Sequence, residues 1–260
     1  MKRIKAVIFD WAGTTVDFGS FAPVAAFGKA FAAFGLTPTI EETRAPMGMQ
    51  KRAHIKTMLT GERLSALWRE TKGHPWTDRD VDEIYARFEP ELFAVLNAHT
   101  TPLPGVTDTV ARVREMDIRV GSTTGYTTAM MEIVAASAAA AGYAPDCLVC
   151  PDEVGGVGRP YPYMLWRNLE KLRILSAGEA LKVGDTAADM QEGKNAGCLC
   201  VGVIKGSCML GLREAELNDM RADEKRLAFE ETERRYMQAG ADMVIEDITA
   251  LPALIESLRR

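Results

Sequence analysis

The feature that most constrains this chain is a set of short apolar runs, most of them stopped abruptly by an acid or a glycine. Residues 6–9, 118–121, 180–183 and 200–204 form four such runs. The first meets Asp10, the third Gly184-Asp185 and the fourth Lys205-Gly206. Continuous apolar runs of this length suit strands covered on both faces, as in a parallel sheet. Helical spacing of apolar residues lies between them, at 107–114, 126–141 and 164–172. Strand–helix alternation of this kind predicts an α/β open sheet. Two further strands are expected at 146–150 and 242–245, with a closing helix over 248–258.

The stretch from about residue 21 to residue 100 reads differently. No buried strand is visible in it, and helical periodicity appears at 22–34, 51–59, 64–69 and 81–96. Pro38, Pro75, Pro102 and Pro104 mark breaks between segments. An all-helical insertion over 20–100 is therefore expected, dividing a sheet domain made of 1–19 and 101–260. The chain would cross between the two near Phe18-Gly19 and Thr101-Pro102. The highly charged stretch 213–235 predicts one solvated helix.

Composition narrows the partners. A net charge of −5 over 260 residues argues against general affinity for nucleic acid or anionic membrane. The longest apolar stretch, 133–144, is alanine-rich and too short to span a bilayer. Met1-Lys2-Arg3-Ile4-Lys5 is basic, but the apolar run behind it is too short for a signal peptide, so a cytoplasmic protein is expected. Cys147 and Cys150 could be read as a redox pair or half a zinc site. Their apolar strand setting favours buried thiols, and the odd total of five cysteines does not suit a disulfide framework.

Four segments carry candidate chemistry. Asp10 opens Asp-Trp-Ala-Gly-Thr-Thr right after the first strand, where open α/β sheets bind ligands. The second strand ends in Gly121-Ser122-Thr123-Thr124-Gly125-Tyr126, with hydroxyls and a following helix N-terminus suited to phosphate oxygens. Arg159, in Gly-Arg-Pro-Tyr-Pro, could fork onto a phosphate. Asp185 and Asp189 are four apart at a helix start and, with Asp10, would form the hard oxygen cluster that Mg²⁺ prefers. Helix capping is the plainer alternative for Asp185, but accounts poorly for Asp189. Each segment alone also fits a structural role.

Together, and in this order, D-x-x-x-T, a strand-end threonine, a basic residue and G-D-x-x-x-D resemble the haloacid dehalogenase superfamily. The resemblance implies a Rossmann-like parallel-sheet core with an inserted all-helical cap. It further implies that Asp10 is a nucleophile forming an aspartyl-phosphate and that Thr124 and Arg159 bind the phosphoryl group. Asp10, Asp185, Asp189 and the backbone carbonyl of Ala12 would surround Mg²⁺.

One departure bears on the substrate. Phosphatases of that superfamily carry D-x-D, whose second acid protonates the leaving oxygen. Here that position is Ala12. The insertion offers another electron sink, because a lysine amine condenses with an aldehyde to a protonated imine. Lys51 in Met47-Gly48-Met49-Gln50-Lys51-Arg52-Ala53-His54 is the candidate, with His54 three residues on along the same helical face. A solvated surface lysine is the alternative. D-W-A-G-T-T-V-D, P-M-G-x-x-K-x-x-H, G-S-T-T-G-Y and G-R-P-Y-P-x-M together resemble the phosphonatase family within the superfamily. That implies cleavage of the carbon–phosphorus bond of phosphonoacetaldehyde through a Lys51 Schiff base. It also implies Met47 and His54 near the imine, Gly48 among the substrate- or phosphate-binding residues, Tyr126 near the site entrance, and Ser20 where some relatives carry cysteine. A homodimer through the cap, and a transaminase acting on 2-aminoethylphosphonate as supplier, are carried over by the same resemblance. An ordinary capped phosphatase is the alternative.

Overall fold

The structure is a computed structural model describing residues 4–259; Met1, Lys2 and Arg3 of the basic N-terminal segment lie outside the described residues, as does Arg260. Six parallel strands form one sheet in the order β3-β2-β1-β4-β5-β6. They are β1 (Ala6–Phe9), β2 (Arg119–Thr123), β3 (Cys147–Val149), β4 (Ala180–Gly184), β5 (Leu199–Val203) and β6 (Met243–Ile245). All four residues of β1 are buried, as strands covered on both faces require. The six expected strands are all present, with ends shifted by a residue or two.

After β1, and before residue 100, run five α-helices: α1 (Phe21–Ala32), α2 (Ile40–Arg44), α3 (Lys51–Thr60), α4 (Glu62–Lys72) and α5 (Asp78–Leu96). The rest flank the sheet: α6 (Val106–Glu115), α7 (Thr128–Ala140), α8 (Tyr163–Lys171), α9 (Ala187–Ala196), α10 (Glu214–Asp219), α11 (Ala222–Ala239) and α12 (Leu251–Leu258). Among the described residues no strand falls between α1 and α5. No described helix is long and apolar enough to cross a membrane.

The insertion has its own packing logic. Along α5 the buried residues are Val81, Ile84, Phe88, Leu92 and Leu96, an i, i+3/i+4 stripe. Phe88 stacks on Phe27 of α1 with ring centroids 4.2 Å apart, and Phe27 lies 4.0 Å from the imidazole of His54 in α3. Pro90 sits inside α5 without ending it. Trp68 is fully buried, while Trp76 is only partly buried against the same core.

One sequence reading is corrected here, and one element the sequence did not announce appears. The charged stretch expected as one helix breaks between α10 and α11, where Met220 and Arg221 take extended backbone. The single turn and a half of α2 had no periodicity to reveal it; Thr39 and Glu42 close it with a capping box. All five cysteines are buried and free.

Candidate active site

The sheet order reverses at β1, which pairs with β2 on one side and β4 on the other. In such sheets the crevice beyond the strand C-termini at the reversal is where ligands bind. Asp10 follows β1 directly, and its N–H donates to the Val183 carbonyl at 2.9 Å. The register pairs Phe9 with both Ser122 and Val183. Asp10, Thr123 and Gly184-Asp185 therefore come out side by side at one edge.

The loop after Asp10 is built to let carboxylates converge. The Trp11 carbonyl accepts N–H bonds from Thr14, Thr15 and Val16, curling the chain back. Gly13 has φ +85°, and a Cβ there would lie 2.0 Å from Oδ2 of Asp185, so only glycine leaves room for that carboxylate. Asp185 also accepts from the backbone N–H of Cys208 at 2.8 Å, with the hydroxyls of Ser20 and Thr14 each 3.4 Å from its oxygens.

Oxygens of Asp10, Asp185 and Asp189 lie within 4.8 Å of one another, and all three residues are buried. Burial and the neighbouring carboxylates push Asp185 well above the ordinary carboxylate range. Burial likewise raises Asp10, against the opposing pull of Arg159. For Asp189 the sign is reversed: burial would raise it, but Arg159 and Lys182 together hold it low. Hard oxygen donors that repel one another in a dry pocket are the donor set a small divalent cation suits.

Capping accounts for Asp189 better than the sequence suggested. Thr186 is the N-cap of α9, and Oδ2 of Asp189 accepts from its hydroxyl at 2.5 Å and its N–H at 3.2 Å. Asp185 lies one residue before that cap. Asp189 thus serves a capping box through one oxygen and faces Arg159 and Lys182 through the other, at 3.1 and 2.9 Å.

Arg159 is fully buried, and its guanidinium knits the site together. Nη2 donates to Oδ1 of Asp10 at 2.7 Å and to Oγ1 of Thr123 at 2.8 Å. Nη1 reaches the carbonyl of Gly48 at 3.3 Å, a contact from the sheet domain to the helical insertion. Of the expected hydroxyl cluster, Thr124 lines the cavity, while Ser122 donates to the Cys147 carbonyl. The expected helix N-terminus is already occupied: Asp152 takes the Thr128 N–H at 3.0 Å and Thr127 caps Met130.

From the insertion come Met47, Gly48 and Lys51. Gln50 caps α3 by accepting the Ala53 N–H at 2.9 Å, which fixes Lys51 as the first helical residue and His54 one turn later. Both face inward and are buried. The Lys51 amine makes no hydrogen bond or ion pair among the described residues; it lies 4.9 Å from the Tyr126 ring centroid and 5.9 Å from that of Phe27. Burial lowers its pKa to about 8, although the Asp10 carboxylate pulls it the other way. A helix N-terminus also disfavours a cation. His54 donates Nε2–H to the Thr43 carbonyl at 2.9 Å, which leaves Nδ1 as a buried lone pair with no hydrogen-bond partner among the described residues. Burial and the nearby Lys51 hold its imidazole neutral, well below the usual range.

Asp10, Ala12, Met47, Gly48, Lys51, Thr124, Tyr126 and Arg159 line one cavity of about 20 Å³ between sheet and insertion. That is room for about one water, so any substrate requires the two parts to separate first. Their seating is close: a Cβ on Gly125 would lie 2.5 Å from the Met49 carbonyl oxygen and 2.8 Å from that of Gly48. Arg44 of α2 adds a tie, donating to the Cys208 carbonyl at 2.8 Å.

Lys182 and Glu192 escaped sequence reasoning, and Thr123, expected among the phosphate-facing hydroxyls, is instead tied up with them. Lys182, Glu192 and Thr123 form a buried network behind Arg159. A charged residue inside the apolar run of β4 was the available signal.

Comparison with known proteins follows the same lines. Residues 4–197 match the haloacid dehalogenase-like hydrolase family. The phosphonoacetaldehyde hydrolase of Lysinibacillus sphaericus is 47% identical over 256 residues, covering 98% of this chain and 95% of that one. The phosphonoacetaldehyde hydrolase of Parabacteroides distasonis is 47% identical over 259 residues, covering 99% and 98%. A bifunctional phosphonoacetaldehyde hydrolase/aminoethylphosphonate transaminase of Clostridioides difficile is 45% identical over 98% of this chain and 40% of its own length. Among solved structures, a phosphonoacetaldehyde hydrolase-like protein from Oleispira antarctica superimposes with a TM-score of 0.96 at 33% identity, covering 100% of this chain and 94% of that one.

Proposed function

We propose, on the premise that the chain belongs to the haloacid dehalogenase-like hydrolase family and within it to the phosphonoacetaldehyde hydrolases, that it cleaves the carbon–phosphorus bond of phosphonoacetaldehyde, giving acetaldehyde and phosphate. The observation that carries the catalytic reading is the shared cavity: a buried amine with no hydrogen bond among the described residues and a strand-end carboxylate face the same small space.

In this reading Lys51 attacks the aldehyde as the neutral amine, for which burial has already lowered its proton affinity. Loss of water gives a protonated imine. Asp10 attacks phosphorus as the C–P bond breaks, and the bonding pair flows into the iminium to form an enamine. Protonation at carbon and hydrolysis of the imine release acetaldehyde, and a second water frees phosphate from Asp10. The water lost in forming the imine offsets one of the two consumed, so one water is used overall. The C–P bond breaks without an acid acting on the leaving atom, which fits Ala12 at that position.

His54, neutral and with Nδ1 free, would pass protons during imine formation and hydrolysis. Arg159 and Thr124 would hold the phosphoryl oxygens, and Met47, Gly48 and Tyr126 would wall the aldehyde. Asp10, Asp185, Asp189 and the Ala12 carbonyl would hold Mg²⁺, which would supply charge neutralisation between the attacking carboxylate and the phosphonate. Residues 20–100 would be the cap and the remainder the core, with closure excluding water from the imine and the acyl-phosphate. A cytoplasmic setting accords with five free buried thiols. Assembly as a homodimer through the cap belongs to the same proposal and is checked by analytical ultracentrifugation. The transaminase fused to the Clostridioides relative supports a place in 2-aminoethylphosphonate degradation.

Product analysis tests the function. Acetaldehyde and phosphate should appear in equal amounts from phosphonoacetaldehyde with Mg²⁺, and phosphate esters should release little. Rapid ester hydrolysis with no acetaldehyde from the phosphonate would replace this reading with an ordinary phosphatase.

A further inference from the structure

Behind Arg159 lies a buried ion pair that the proposed reaction does not use. Lys182 on β4 and Glu192 on α9 meet at 3.0 Å, and both side chains are wholly buried. Oε2 of Glu192 receives three donors: Nε of Arg159 at 3.0 Å, Nζ of Lys182, and Oγ1 of Thr123 at 2.9 Å. Its other oxygen, Oε1, is buried with no hydrogen-bond partner among the described residues. Lys182 in turn donates to Thr123 at 2.7 Å and faces Asp189 at 2.9 Å.

Two features set this apart from charge balance. Lys182 and Glu192 carry opposite charges, so deleting both leaves the net charge of the site unchanged. A buried ion pair is also poor evidence for stability, since apolar replacements of similar volume are often neutral or better. What the pair does supply is direction. Glu192 takes Nε of the guanidinium, which leaves Nη2 as the one contact with Asp10 and turns Nη1 to the Gly48 carbonyl and Asp189. Without that hold, the fork is free to close on the Asp10 carboxylate in the bidentate geometry that arginine prefers. Both the nucleophile and the anion-binding edge would then be lost to each other.

We infer that Glu192 is a positioning residue whose buried charge Lys182 offsets: it holds Arg159 to a single contact with Asp10, so that the guanidinium meets the phosphoryl group without closing on the nucleophile. This rests on the reading above in which Arg159 binds the phosphoryl oxygens. The test is calorimetric binding of inorganic phosphate in the presence of Mg²⁺, with Tm measured alongside. In K182M/E192M the protein should unfold cooperatively within a few degrees of wild type. Phosphate should bind about 10- to 100-fold more weakly, the range for one or two charge-assisted hydrogen bonds set out of line. K182M/E192Q restores an acceptor at the same reach without charge and should recover most of the affinity. Wild-type affinity in K182M/E192M, or a loss that K182M/E192Q does not recover, overturns the inference. If K182M/E192M does not fold, Glu192→Asp decides, because it keeps the charge but falls one methylene short of Nε. It should show a similar loss, and wild-type affinity there overturns the inference. Arg159→Ala separates this from its premise. Unchanged phosphate binding in that variant removes the role assigned to Arg159; loss there combined with wild-type affinity in the pair variants removes the clamp alone.

Discussion

The protonation of Lys51 is the most quantitative consequence of the site. With a pKa of about 8, roughly 10% of the amine is neutral at pH 7. At the usual lysine value of about 10.5 the neutral share would be roughly 0.03%, some 300-fold less. The perturbation is pH alone, and the assay is competitive labelling with acetic anhydride, which reacts with the neutral amine, read by peptide mass spectrometry with the protein held metal-free in chelator. Labelling of Lys51 should rise about tenfold between pH 7 and 9 and then level off. An ordinary lysine would rise about a hundredfold over that range with no plateau. Asp10→Asn sharpens the test. Asp10 is the largest influence opposing burial at Lys51, so its neutralisation should move the midpoint down, below about 8. A wild-type midpoint above 10, or an upward move in Asp10→Asn, would refute this account of the amine.

Other consequences concern closure, metal and stability. Gly125→Ala puts a methyl 2.5 Å from the Met49 carbonyl oxygen. Steady-state kinetics should show kcat/KM down by about 100-fold, in line with an angstrom-scale misplacement, with little change in Tm. Asp185→Asn should abolish Mg²⁺ binding by calorimetry, whereas wild-type Tm should climb as Mg²⁺ is added, by up to about 2.7 kcal/mol of stability at a hundredfold excess over Kd. His99 forms a 2.8 Å hydrogen bond to Asp17 that raises its pKa, with the Asp17 charge adding to the effect. The stability it contributes is therefore full below about pH 6.5 and lost as pH rises through the raised folded value. His99→Gln should accordingly destabilise more at pH 5.5 than at pH 9 in denaturant titrations.

How much was legible in the sequence depends on where the information sits. β1 could be delimited to the residue because Lys5 and Asp10 bracket an apolar run. The end of β2 could not, because Ser122 and Thr123 are polar yet buried, their hydroxyls satisfied by Cys147 and Glu192. Asp10, Asp185 and Arg159 were legible because strand ends and turns announce themselves. Their partners were not: Thr123 and Glu192 are joined across 69 positions. The reading of Asp189 as outside any cap failed because Thr186 was not recognised as the N-cap. The break at Met220 and Arg221 was faintly marked, since neither is a proline or glycine and both favour helix; the weak helix formers Asn218 and Asp219 just before it were the available signal.

The central claim is that an amine from the insertion becomes covalently joined to the substrate opposite Asp10. Reductive trapping reads it directly: incubate with phosphonoacetaldehyde, reduce with borohydride, and map the adduct by peptide mass spectrometry. The account predicts one adduct on Lys51 that is absent in Lys51→Arg. Full turnover with no adduct on Lys51, or turnover that survives in Lys51→Arg, would contradict it.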